Sequence, residues 1–308
     1  MTDSHETRLN RARQSLEGLS VADALGMHSE FWKGSMTDFI KTRKPPEKQW
    51  HYTDDTNMAL SIYSILRQFE EIKQDELARS FIKRFDNTRG YGYGANKVFK
   101  QIRIGQGTWR DLFGGMFGGT GSYGNGGAMR VAPLGAYFAD DMDAIINNAK
   151  LSAQVTHTHP EGIAGAIAVA VTTAIAISYR GQDKPSIPEF IDKILPHIPD
   201  SEVKENCMKA KTVAPDTPID DVVMVLGNGR HVSAMDTVPL TLWCAANWMD
   251  NYEEAFWQCA SAGGDVDTTC AIVGGIVASY STETIPEKWI QQREPLPAWA
   301  FEEVTTVP

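Results

Sequence analysis

The chain has 308 residues, enough for one large domain or two ordinary ones, and 42 % of them are apolar, so a sizeable core can be buried. The net charge is −10 with lysines and arginines dispersed, which argues against nucleic acid as the main partner, because phosphate contacts need a basic surface. The N-terminus from Met1 to Arg13 is polar and lacks the apolar centre of a signal peptide, and the longest apolar stretches, 162–177 and 270–278, are too short or too rich in small residues to read as a membrane span of about 20 residues. A cytoplasmic protein is expected.

Helical periodicity runs through the chain. Leu9, Ala12, Leu16 and Leu19 recur at helical spacing ahead of Val21-Ala22-Asp23-Ala24-Leu25-Gly26. The stretch 54–69 carries Met58, Leu60, Ile62, Ile65 and Leu66 on a broad apolar face. Further helices are predicted over 75–85, 95–104, 128–138, 142–156, 161–178, 187–195, 203–213, 232–248, 253–261 and 265–280. No alternating run between turn signals marks a strand. The architecture expected is all-α, one compact orthogonal helical bundle formed by residues 1–308. Two segments break the pattern: the glycine-rich stretch 105–127, with Trp109, Phe113, Phe117 and Tyr123 interleaved, and Leu226-Gly227-Asn228-Gly229-Arg230. In a helical protein such loops serve turns or close backbone approach. Cys207, Cys244, Cys259 and Cys270 form no CxxC pair and read as reduced core thiols.

Two acidic clusters open apolar helices. Thr53-Asp54-Asp55-Thr56 starts one, where Thr53 can cap and acids suit the helix dipole. Asp265-Val266-Asp267-Thr268 starts the other. Together they offer hard oxygen ligands of the kind Mg²⁺ or Mn²⁺ takes. Four carboxylates brought together would repel one another without a cation, and a pair of divalent ions about 3.5–4 Å apart is the natural solution if the two helix starts face each other. Neither cluster continues into an EF-hand loop. His157 and His159 form an HxH pair, but no third soft ligand stands at zinc-site spacing.

In this order along the chain, Ala22-Asp23-Ala24-Leu25-Gly26-Met27-His28-Ser29-Glu30, Tyr52-Thr53-Asp54-Asp55-Thr56, Gly121-Ser122-Tyr123-Gly124-Asn125-Gly126-Gly127-Ala128-Met129-Arg130, Thr156-His157-Thr158-His159-Pro160 and Gly264-Asp265-Val266-Asp267-Thr268 resemble the five motifs of the ADP-ribosylglycohydrolase family, which includes dinitrogenase-reductase-activating glycohydrolase. Ala22 stands where that family usually has glycine, and His28-Ser29 is not its commonest dipeptide.

The resemblance implies an all-α bundle with a dinuclear metal site at one end, two Mg²⁺ ions (or Mn²⁺) held by Thr53, Asp54, Asp55, Asp265, Asp267 and Thr268. It implies that Gly121, Ser122, Tyr123, Gly124 and Asn125 wrap the diphosphate and sugars, that His157 contacts the phosphates, and that Gly229 borders the distal ribose. Glu30, Asp55 and Asp267 are the carboxylates it assigns to catalysis, since glycosidic cleavage commonly needs a group that moves a proton. The implied reaction is hydrolysis of the bond between ADP-ribose and a protein side chain, arginine ahead of serine, with free ADP-ribose as product. The glycine loop is also similar to that of the serine-cleaving branch. Alternatives are hydrolysis of O-acetyl-ADP-ribose or another free ADP-ribosyl compound, and a catalytically silent ADP-ribose binder or an immunity protein acting against a toxin ADP-ribosyltransferase.

Overall fold

The computed structural model describes residues 3–27, 36–281 and 285–302. Among these residues the chain is helical with no strand; only two isolated bridges occur, Trp50 with Arg293 and Gly124 with Ser233. Buried apolar side chains from Ala12 to Ala300 make one contiguous cluster. All four cysteines are free and buried within it.

The N-terminal helix, His5–Gly26, packs against the apolar helix Val266–Tyr280. Gly18, Ala22 and Gly26 recur every four residues and so share one helix face. Opposite them stand Gly274 and Ala278. A Cβ on Gly18 would lie 2.4 Å from the Gly274 carbonyl oxygen, one on Gly274 2.6 Å from the Gly18 oxygen, and one on Gly26 3.0 Å from the Asp267 Cα. The two backbones touch because nothing larger stands between them.

The helix Pro160–Ser178 is 19 residues long with a mean hydropathy of 1.7, so by length and composition it could cross a bilayer, which the residue pattern alone did not suggest. Here it is 78 % buried, packed by Ala132–Tyr137, Met142–Gln154, Ala234–Asn247 and Val266–Tyr280. Its start is well defined: the His159 ring caps the Glu161 amide and Pro160 takes the first turn, where its missing N–H costs nothing.

The helix Asp54–Phe69 begins where it does because Thr53 caps it and because the preceding segment is tied down. Glu294 accepts from the Tyr52 amide at 3.0 Å and pairs with Arg89, which also donates to the Tyr52 carbonyl. The Arg89 carbonyl in turn accepts from the Asp54 amide at 2.7 Å.

Most predicted helices occur within one to three residues of the expected bounds. The 128–138 segment differs: its helix is only Ala132–Tyr137, preceded by a 3₁₀ turn at Asn125–Gly127, so the glycine loop extends further than periodicity implied. The 105–127 stretch is not all loop. Thr108 caps a short helix, Trp109–Gly114. The helices Met36–Thr42, Ile219–Leu226 and Glu287–Gln292 were also unforeseen; each is too short for periodicity to declare itself.

Gly274→Ala should cost about 1–3 kcal/mol by forcing the two helices apart, read as a lowered Tm. Gly114→Ala, whose Cβ meets open space, should leave Tm nearly unchanged.

Candidate active site

The close helix pair carries Asp23 to the two acidic helix starts. Carboxylate oxygens of Asp23, Asp55 and Asp267 all lie within 4.8 Å of one another. Asp23 is wholly buried and saturated with donors. It accepts from the Thr53 amide at 3.0 Å and the Thr53 hydroxyl at 2.8 Å, and from the Thr56 amide at 3.1 Å and hydroxyl at 2.6 Å. It therefore anchors the start of the helix Asp54–Phe69 rather than offering free lone pairs. Asp55 is different. Its Oδ1 is buried with no hydrogen-bond partner among the described residues, while Oδ2 lies 3.0 Å from the Thr53 hydroxyl, whose single proton it shares with Asp23.

Asp265 is held from the other side. Its helix-start position makes no side-chain cap bond, and Oδ2 instead accepts from Asn125 Nδ2 at 2.6 Å. Asn125 also donates to Thr237, tying the glycine loop to the second acidic cluster. Gly264, at φ +75°, lets the chain pass under Asn228; a Cβ there would sit 2.2 Å from the Asn228 oxygen.

Burial and mutual repulsion distort the titration of these acids. Burial pushes Asp23 up to about 6 and Asp54, with the charges of Asp23 and Asp265 adding, up to about 8. Asp55 and Asp267 are pushed well above the usual carboxylate range for the same reasons. An orphaned buried oxygen amid carboxylates that cannot all ionise is what a hard divalent cation would relieve, so the residues present fit such an ion.

The acids open onto a cavity of about 470 Å³. Asp54, Asp55, Asp265, Asp267 and Thr268 line it together with Ser122, Tyr123, Gly124, Asn125 and His157, and the bond from Asn125 to Asp265 joins the two groups. Gly121 and Gly229 stand behind the lining, Gly121 against Thr158 and His159 and Gly229 against Asp265 and Thr237. Thr53 faces a neighbouring depression with Met27, His51, Tyr52 and Arg89, its hydroxyl bonded to Asp23. Glu30 lies outside the described residues. The sequence reading passed over Asp23 as a site residue, although a carboxylate inside the apolar run Val21 to Leu25 is itself a signal, because acids are almost never fully buried without a task. It also passed over Arg130 and Phe117.

Phe117 and Tyr123 stack at the cavity rim with ring centroids 6.1 Å apart and planes 26° apart. Phe117 is 61 % exposed. It holds a left-handed backbone, φ +52°, as does Val232 across the rim, φ +51°. Such strain in non-glycine residues gathers at binding sites.

A sequence profile described as ADP-ribosylglycohydrolase matches residues 4–306. The chain belongs to that family. Similar curated proteins include human ADP-ribosylhydrolase ARH3, 29 % identical over 93 % of this chain and 90 % of the relative, and an uncharacterized protein of Archaeoglobus fulgidus, 30 % identical over 91 % and 90 %. Escherichia coli YegU, also uncharacterized, is 27 % identical over 87 % of each chain. A solved structure titled ADP-ribosylglycohydrolase-related protein complex superimposes with a TM-score of 0.66 over 94 % of this chain and 93 % of its own, at 21 % identity, and so shares the fold. This family member is thus a hydrolase of ADP-ribosyl glycosidic linkages, and its aspartate cluster is compatible with a metal site.

Raised carboxylates favour folding at low pH. That contribution is complete below the ordinary value of 3.8 and is lost as pH rises through the folded values. His157, held down at about 3, acts oppositely below its ordinary 6.5. Between 6.5 and about 8, therefore, the EDTA-treated protein should lose Tm as pH rises, and added Mg²⁺ should raise Tm by more at the upper end. Asp55→Asn should abolish the Mg²⁺ response; a Tm indifferent to Mg²⁺ throughout would contradict the site.

Proposed function

We propose that the chain hydrolyses the glycosidic bond joining ADP-ribose to a protein side chain, with two Mg²⁺ ions, or Mn²⁺, held by Asp54, Asp55, Asp265, Asp267 and the hydroxyls of Thr53 and Thr268. The observation that carries this reading is the make-up of the cavity, whose lining combines the acidic helix starts with a glycine loop and a neutral histidine. Bound cations would act as Lewis acids that orient the ribose hydroxyls and stabilise charge developing at the anomeric centre.

The chain's own residues do the rest. A diphosphate would be repelled by the acidic end, so it belongs at the loop. There the His157 ring packs where a Cβ on Gly124 or Gly126 would stand, so the imidazole and the backbone amides of the loop would address phosphate oxygens together. The base then reaches the rim, where Phe117 and Tyr123 present two aromatic faces. This order directs the distal ribose to Asp55 and Asp267. In the reaction the C1″ bond to the side chain breaks, water supplies the hydroxyl, and the proton returns to the leaving group. Asp55 and Asp267 are proposed to handle that proton, a reading supported by their closeness in the buried cluster, with Glu30 sharing the work.

Incubation with arginine-linked and serine-linked ADP-ribosylated peptides and with O-acetyl-ADP-ribose, with Mg²⁺ and with EDTA, tests the reading. Release of ADP-ribose from one peptide class that EDTA abolishes supports it and names the acceptor; arginine is favoured. Release from O-acetyl-ADP-ribose alone moves the substrate to free metabolites, and tight ADP-ribose binding without any release makes the protein a binder. Asp54→Ala with Asp55→Ala should abolish turnover while helicity persists. Phe117→Ala should raise KM about tenfold, the scale of one lost stacking contact.

A further inference from the structure

We propose that Arg130 and Thr156 are positioning residues that lock His157 as the Nε2–H tautomer, making a neutral imidazole a dedicated donor to an anionic ligand in the cavity. Arg130 Nη2 donates to Thr156 Oγ1 at 2.9 Å and to the Ser152 carbonyl at 3.0 Å. A guanidinium can only donate, so the Thr156 oxygen is the acceptor in that contact. The same oxygen lies 2.7 Å from His157 Nδ1. Among the described residues no other acceptor takes the Thr156 hydroxyl proton, so that proton goes to Nδ1. Nδ1 is then a bare acceptor and the ring proton sits on Nε2.

Nε2 lies against the glycine loop, which lines the cavity together with His157. A Cβ on Gly124 would lie 3.2 Å from it and one on Gly126 3.0 Å, and His157 lines the cavity. Burial, with the Arg130 charge adding, holds the imidazole down at about 3, so the ring stays neutral and the tautomer alone decides what it offers. The opposite tautomer would present a lone pair to a phosphate oxygen.

Packing does not account for Arg130. It is wholly buried, forms no salt bridge among the described residues, and leaves its Nε without a partner. Its guanidinium lies over Phe81 and against Met58. An apolar side chain would fill that space without the cost of burying a charge. The directional bond to Thr156 is what an apolar residue could not supply.

The lock stands on these hydrogen bonds; its use on a diphosphate rests on the function proposed above. The test is NMR of ¹⁵N-labelled histidine in the full chain with Mg²⁺, His157 being assigned by its loss in His157→Gln, alongside calorimetric titration with ADP-ribose. The wild type should show a protonated Nε2 and a bare Nδ1. Thr156→Val keeps the shape and removes the hydroxyl; it should release the fixed tautomer and weaken ADP-ribose about tenfold, the scale of one hydrogen bond to a charged group. Thr156→Ser should restore both. Arg130→Met, which frees the threonine to rotate, should show mixed tautomers. A protonated Nδ1 in the wild type overturns the proposal, as does a Thr156→Val protein that keeps the wild-type tautomer or affinity. A wild type that shows the lock, released in Thr156→Val, yet binds no ADP-ribose upholds the lock and removes the ADP-ribose reading.

Discussion

Everything at the acidic end depends on one backbone contact, the approach of Gly18 to Gly274. Glycine and alanine along that seam allow the two helices to touch, and a carboxylate on each, Asp23 and Asp267, is thereby carried into the same buried volume. Asp23 then takes donors from Thr53 and Thr56 and fixes the start of a third helix, which delivers Asp54 and Asp55. The site is assembled by the meeting of helix ends, and apolar packing behind them opposes the repulsion of the acids they carry.

Two kinds of electrostatics line one cavity: acids whose crowded negative charge calls for cations, and a glycine loop with an imidazole kept neutral. Arg130 lines it too, wholly buried, and bonds to Thr156 with no salt bridge among the described residues. Asn125 ties the halves together, because one side chain braces Asp265 while its backbone belongs to the glycine loop.

The helices were legible in the sequence wherever an apolar face repeated over three or more turns, and TDDT and GDVDT were legible as a matched pair of helix starts. What could not be read was how elements meet. Asp23 looked like one motif letter until the helix seam placed it beside Asp55. The bond from the Thr53 hydroxyl to Asp23, 30 positions away, is likewise set by the packing of helices and not by any spacing in the sequence. Arg130 and Thr156 stand 26 positions apart and nothing in their spacing announces a hydrogen bond. Met36–Thr42, Ile219–Leu226 and Glu287–Gln292 went unseen because two turns are few for a period to show.

The stacked rings at the rim have a kinetic consequence. Their centroids are 6.1 Å apart, whereas a base sandwiched between two faces needs about 7 Å, two stacking distances of roughly 3.4 Å. On the proposed placement of the base at the rim, a nucleotide that enters between the rings would have to part them. Gly118 and Gly119, close to Phe117, border open space and give that movement somewhere to go. Residence time of the product would then depend on the rim as well as on the acids where the bond is broken.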